Sequence, residues 1–174
     1  MKENWESSFS RMIKSEGGYV NIKEDAGGET NLGVTKAAWA AYLKRPIQEG
    51  EMKNLTPDIV KPFYKSQYWD KVNGDSLPSG VDYAVFDFAV NGGASQSAKF
   101  IQRAVGTTAD GAIGPATMAL IMKSEPATLL ESFSNQKREF YNNIVAKKPT
   151  QAKFIKGWLN RTDEVHKIAK TMLK

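Results

Sequence analysis

The segment from Glu16 to Thr30, EGGYVNIKEDAGGET, holds the densest set of groups able to do chemistry. Two glycines follow Glu16 and leave its carboxyl uncrowded. Asp25 comes nine residues later in a glycine-rich loop, and Thr30 five residues after that. Two carboxyls on opposite sides of a glycosidic bond can hydrolyse it with inversion. One stays protonated and acts as acid; the other is ionised and activates water. They must stand roughly 6.5–9.5 Å apart to admit that water. A helix end facing a returning hairpin can provide this gap, and a threonine hydroxyl can hold the water. Spacing alone leaves ordinary surface and turn chemistry as the commoner identity of such residues. Glu24 and Glu29, in the same loop, read as solvated charges.

The elements that must position these groups are mostly helical. Trp5, Phe9, Met12 and Ile13 make one apolar stripe, and Gly17-Gly18 should end that helix. The stretch from Tyr19 to Val34 has no helical period and reads as a loop or small hairpin, with Gly27-Gly28 as a tight-turn signal. Thr35 is placed to cap a helix through Tyr42, and Thr56-Pro57 to open another that kinks or starts late at Pro62. Ser79 is placed to cap the apolar run Val81–Val90, which reads as a central buried helix ending at Asn91-Gly92-Gly93. Further helices are expected over Ser95–Val105, Pro115–Met122 and Pro126 to about Ala146. A last one is capped by Thr150 and interrupted near Gly157.

Composition removes several function classes. The 174 residues suit one domain, or one domain with a small lobe. There is no cysteine, which removes disulfides, thiolate nucleophiles and cysteine-held metals, and the single histidine removes multi-histidine metal sites. His166 reads as part of a solvated helix face. No cofactor or metal is expected. The N-terminus MKENWESSFSRM has no apolar core of a secretory signal. The net charge of +5 is uneven: residues 1–119 carry 13 basic and 14 acidic groups, residues 120–174 carry 11 and 5. The basic tail lacks the aromatic interleaving of a single-strand nucleic-acid binder, so no nucleic-acid partner is expected.

The motif SEGGYVN…DAGGETNLGVTKAAW resembles the signature of glycoside hydrolase family 108, the N-acetylmuramidases of phage endolysins and related bacterial proteins. VDYAVFDFAVNGG, with Asp82, Tyr83, Asp87 and Asn91, resembles the family's second block. FIQRAVGTTADGAIGPAT and FYNNIVAKKPTQAKFIKGWLNR resemble the peptidoglycan-binding domain that usually follows. The resemblance implies a mainly α, lysozyme-like (α+β) fold, with a small hairpin or loop after the first helix. It implies a catalytic lobe over 1–93 and a helical peptidoglycan-binding lobe over 94–174, packed as one body. It also implies cleavage of the β-1,4 bond between N-acetylmuramic acid and N-acetylglucosamine, with Glu16 as catalytic acid. Asp25 and Thr30 take supporting roles by similarity to phage-type lysozymes.

Tyr19, Asp87, Asn91 and Tyr141 are expected at the substrate. For Asp87 a structural ion pair is the competing identity, and Trp39, Trp69 and Trp158 read as core. The expected partner is peptidoglycan, with the basic C-terminal helices facing anionic wall polymer or outer-membrane surface, and the chain is expected to be a monomer. An endolysin made in the host cytoplasm and acting at the wall fits these features. A lytic transglycosylase and a non-catalytic peptidoglycan-binding or secretion-assisting protein are the rival readings.

Overall fold

The computed structural model describes residues 1–22 and 28–174. Among the described residues the elements run as follows. Helix α1 is Trp5–Lys14, and it leads into strands β1 (Val20–Asn21), β2 (Glu29–Asn31) and β3 (Val34–Thr35). Helices α2 (Lys36–Leu43), α3 (Pro57–Tyr64), α4 (Val81–Gly92), α5 (Ala94–Ala104), α6 (Pro115–Lys123), α7 (Pro126–Lys147) and α8 (Ala152–Thr171) follow. The fold is mainly helical with one small antiparallel sheet, as expected. The chain divides into two compact units, Glu6–Gln67, and Met1–Trp5 with Tyr68–Lys174.

In the first unit the sheet has the order β1-β2-β3, and Thr30 pairs with Val20 on one side and Thr35 on the other. β2 and β3 are joined by a two-residue turn, Leu32-Gly33, with both residues at positive φ (52° and 77°). That is the backbone of the turns whose twist matches a hairpin. The expected turn signal at Gly27-Gly28 lies partly outside the described residues. The tight turn at Leu32 was not anticipated, because leucine rarely takes this conformation. Thr35 caps α2 and Thr56 caps α3 through their side chains, as expected. Pro62 neither delays nor ends α3, which continues through Tyr64 into a wider π-helical segment, Lys65–Trp69. Phe9, Trp39, Phe63 and Tyr64 are buried there.

In the second unit α4 is the central buried helix, with every residue from Val81 to Ala89 buried. Its Phe88 stacks on Phe100 of α5 at 4.9 Å. Leu129, Leu130 and Phe133 of α7 and Val165 and Ala169 of α8 belong to the same core. Ser79 does not cap α4. The cap position is Gly80, while Ser79 accepts a hydrogen bond from Asn4. The helix start is instead satisfied by Asp82, whose carboxylate accepts from the N–H groups of Gly80 and Tyr83 and from Asn4. In the DGAIG turn, Asp110 accepts from the Ala112 N–H while buried Gln102 bonds Asp110, Gly111 and Ala112.

α8 runs unbroken through Gly157, and Thr150 sits in a short 3-10 turn before it, not at its cap. One glycine costs a helix only about 1 kcal/mol, which packing of α8 against the core outweighs. His166 is not a solvated face residue. It lies 2.8 Å from Ser134 and 3.1 Å from Glu131, bridging α8 to α7.

One cation stands inside this core. Lys137 is 2% exposed, with its ammonium 5.3 Å from the centroid of the Phe88 ring. Burial pushes its pKa down to about 8, Asp87 opposes the shift, and Arg161 and Arg138 add to it. The unfolded chain keeps this proton to about pH 10.4. Above pH 8 the folded protein has shed a proton that the unfolded chain still holds, so stability gains with pH across that window. Lys137→Met should therefore be more stable than the parent below pH 8, by about 3 kcal/mol. Denaturant titrations should show that gap closing by about pH 10.5; a gap constant from pH 7 to 10.5 would contradict the assignment.

Candidate functional site

Glu16 lies just past the end of α1, where its N–H bonds the carbonyl of Ile13 at 3.1 Å. It is half-buried, and its carboxyl reaches over the β2–β3 turn. A methyl group added to Gly33 would stand 2.5 Å from Glu16 Oε2 and 2.7 Å from the Tyr64 hydroxyl. Both polar groups therefore occupy the space that a side chain at Gly33 would need. Leu32, in its costly left-handed conformation, is tied down from both sides. Its N–H donates to Gly17 at 3.0 Å, and its carbonyl accepts from the Tyr64 hydroxyl at 2.6 Å. Such a conformation costs roughly 1–3 kcal/mol and persists only where its surroundings impose it. The turn is thus bound to the end of α1 by Gly17 and to α3 by Tyr64.

Thr30 is half-buried in the middle strand of the hairpin. Asp25 lies outside the described residues. Tyr19 is half-buried and its hydroxyl donates to Glu29 at 2.8 Å, while Lys36 pairs with the other Glu29 oxygen at 3.0 Å. Lys36 and then Tyr19 hold the Glu29 carboxyl below its ordinary range, and Glu29 holds the Tyr19 phenol above its own. Glu29 is therefore an anchored strand residue, not the solvated charge expected of it. The Lys53 ammonium lies 5.6 Å from the centroid of the Tyr19 ring. Tyr64 was not anticipated at this site, and the sequence signal for it was only its place on the apolar face of α3.

Asp87, Asn91 and Tyr141 lie together in the other unit. Asp87 is 1% exposed and pairs with Arg161 at 2.7 Å, so its carboxylate acts as an anchor for the guanidinium. Exposed Asn91, one helical turn on, donates to Asp87 at 3.4 Å. A cavity of about 420 Å³ is lined by Asn91, Phe140, Tyr141, Trp158 and Arg161 among others. Tyr141 stacks on Trp158 with ring centroids 5.1 Å apart, and burial first, then Asp87, pushes its phenol up to about 12. It is a neutral hydrogen-bond donor across the working pH range. Trp39 and Trp69 are core residues as expected, but Trp158 is a half-buried cavity wall. The spacing Phe154, Trp158, Arg161 puts all three on one face of α8, which was the available signal. Among the described residues no group of three or more metal-binding side chains is gathered.

No curated protein matches the chain. Residues 9–93 match the model of glycosyl hydrolase 108, and residues 96–163 that of a predicted peptidoglycan domain. The solved structure of Brucella abortus SagA is similar with a TM-score of 0.85 and 32% identity, over 99% of this chain and 97% of that one. The chain belongs to glycosyl hydrolase family 108.

In this family 108 chain the glycine of the NLGV segment is the one that Glu16 and Tyr64 crowd. The two family matches together support a peptidoglycan-acting glycoside hydrolase. No helix among the described residues is long and apolar enough to cross a membrane. Gly33→Ala should strain the turn and displace Glu16. We expect a loss of activity on purified peptidoglycan of at least about tenfold, about 1.4 kcal/mol in the barrier, with the helical circular dichroism retained. Tyr64→Phe should lower the melting temperature by removing the Leu32 bond. Unaltered activity in Gly33→Ala would show that activity does not depend on how the turn places Glu16.

Proposed function

We propose that this protein is an N-acetylmuramidase that hydrolyses the β-1,4 bond between N-acetylmuramic acid and N-acetylglucosamine. The observation that supports this most is the placement of a half-buried glutamate at a helix end, over a hairpin turn shaped to receive it. Glu16 gives its proton to the glycosidic oxygen as the bond to the anomeric carbon breaks. Water adds to that carbon, and Asp25 takes or orients the water's proton with the help of Thr30. Tyr19, Asn91 and Tyr141 contact the glycan, and Asp87 acts through Arg161. No metal or cofactor takes part.

Residues 1–93 carry the chemistry and residues 94–174 the wall binding, a functional division at the junction of the two family models and separate from the packing units. An endolysin made in the cytoplasm and released to the wall as a monomer is the biological setting we favour. Lys147, Lys148, Lys153 and Lys156 are exposed at the facing ends of α7 and α8 and draw the protein to anionic wall polymer or outer-membrane surface.

Glu16→Gln keeps the size and hydrogen bonding of the side chain but removes the acid. It should stay folded and release no reducing ends from peptidoglycan. Near-parental release would refute the role of Glu16. Reversing the four lysines to glutamate should weaken wall binding and flatten its dependence on salt. Binding that keeps its strength and salt slope would leave them as a solvated face.

A further inference from the structure

The cavity bordered by Asn91, Tyr141, Trp158 and Arg161 is unlike a plain sugar-stacking surface, because a guanidinium lines it. Three rings run in series from solvent into it. Phe154, 44% exposed, lies against Trp158 at 5.7 Å and 29°, and Trp158 against Tyr141 at 5.1 Å and 24°. Near-parallel rings of this kind give an extended apolar ledge with a polar end. At that end stand the exposed Asn91 amide and the Arg161 guanidinium, both lining the cavity. The charged groups acting on buried Lys137 are one carboxylate, Asp87, and two guanidiniums, Arg161 and Arg138. At the outer end of the ledge the Lys153 ammonium is 5.1 Å from the centroid of the Phe154 ring.

A neutral sugar would use the ledge and leave the charge idle. A carboxylate beside the ring would use both, since an arginine held by its own buried partner is a preorganised donor to a second acid. We propose that this cavity recognises a carboxylate carried beside an N-acylated sugar ring of the glycan. Trp158 and Phe154 stack the ring, while Arg161 and Asn91 hold the acid. The inference rests on the reading of the chain as a peptidoglycan hydrolase, which supplies two sources of that acid: the lactyl group of muramic acid and the stem peptide.

The test is an NMR titration of the Glu16→Gln protein, following the Asn91 side-chain amide and the Trp158 indole N–H. The probes are N-acetylmuramic acid, muramyl dipeptide and neutral N,N′-diacetylchitobiose. At least one acidic probe should move both signals at concentrations at least about tenfold lower than chitobiose requires. A response to muramic acid alone assigns the lactyl carboxylate, a response to the dipeptide alone the peptide carboxylate. Arg161→Gln should abolish the preference for acids. Because that change leaves Asp87 without its partner, Trp158→Ala is the second variant, and it should weaken all three probes. Equal response to chitobiose, or none to either acid, would overturn the proposal. Release of reducing ends by the parent protein is measured separately. Intact acid binding without any release would refute the hydrolase reading and leave this binding site standing.

Discussion

At Gly33 three elements of the chain meet in a space too small for a methyl group. The end of α1 brings the Glu16 carboxyl, α3 brings the Tyr64 hydroxyl, and the β2–β3 turn supplies a backbone at positive φ. Each of the three constrains the others. Leu32 holds its left-handed conformation because Gly17 and Tyr64 bond its two backbone groups. Glu16 reaches over the turn because residue 33 has no side chain to exclude it. A carboxyl on a free helix end would sample many rotamers. The role proposed for Glu16 needs positioning of a kind that a neighbouring turn can supply.

The other unit solves a different problem. Asp87 is a carboxylate on a helix that is otherwise apolar and buried, and burial without a partner would be prohibitive. Arg161 satisfies it from α8, and the pair holds the guanidinium at the wall of a cavity. Lys137 is a buried cation that one carboxylate only partly offsets, and burial depresses its pKa.

Much of this was legible in the sequence, where local chemistry dictates structure. The apolar run Val81–Val90 could only be a buried helix, and the starts at Thr35, Thr56-Pro57, Pro115 and Pro126 were found where capping predicts them, whereas Thr150 does not cap α8. The family resemblance pointed to the right class. What could not be read was tertiary. The turn at Leu32-Gly33 depends on Tyr64, which is distant in sequence, and Trp158 and Arg161 matter through Tyr141 and Asp87 on other helices. Gly157 and Pro62 look like breaks by propensity, yet packing carries both helices through them. Glu29 and His166 look solvated until Tyr19, Lys36 and Ser134 are placed beside them.

In the proposed reaction Glu16 delivers a proton while water, not the sugar's own hydroxyl, completes the cleavage. Mass spectrometry of the glycans released from purified peptidoglycan in ¹⁸O-labelled water reads this directly. Hydrolysis should leave muramic acid at the new reducing end, carrying the label from solvent. An unlabelled anhydro-muramic end, lighter by one water, would contradict it and make the protein a transglycosylase.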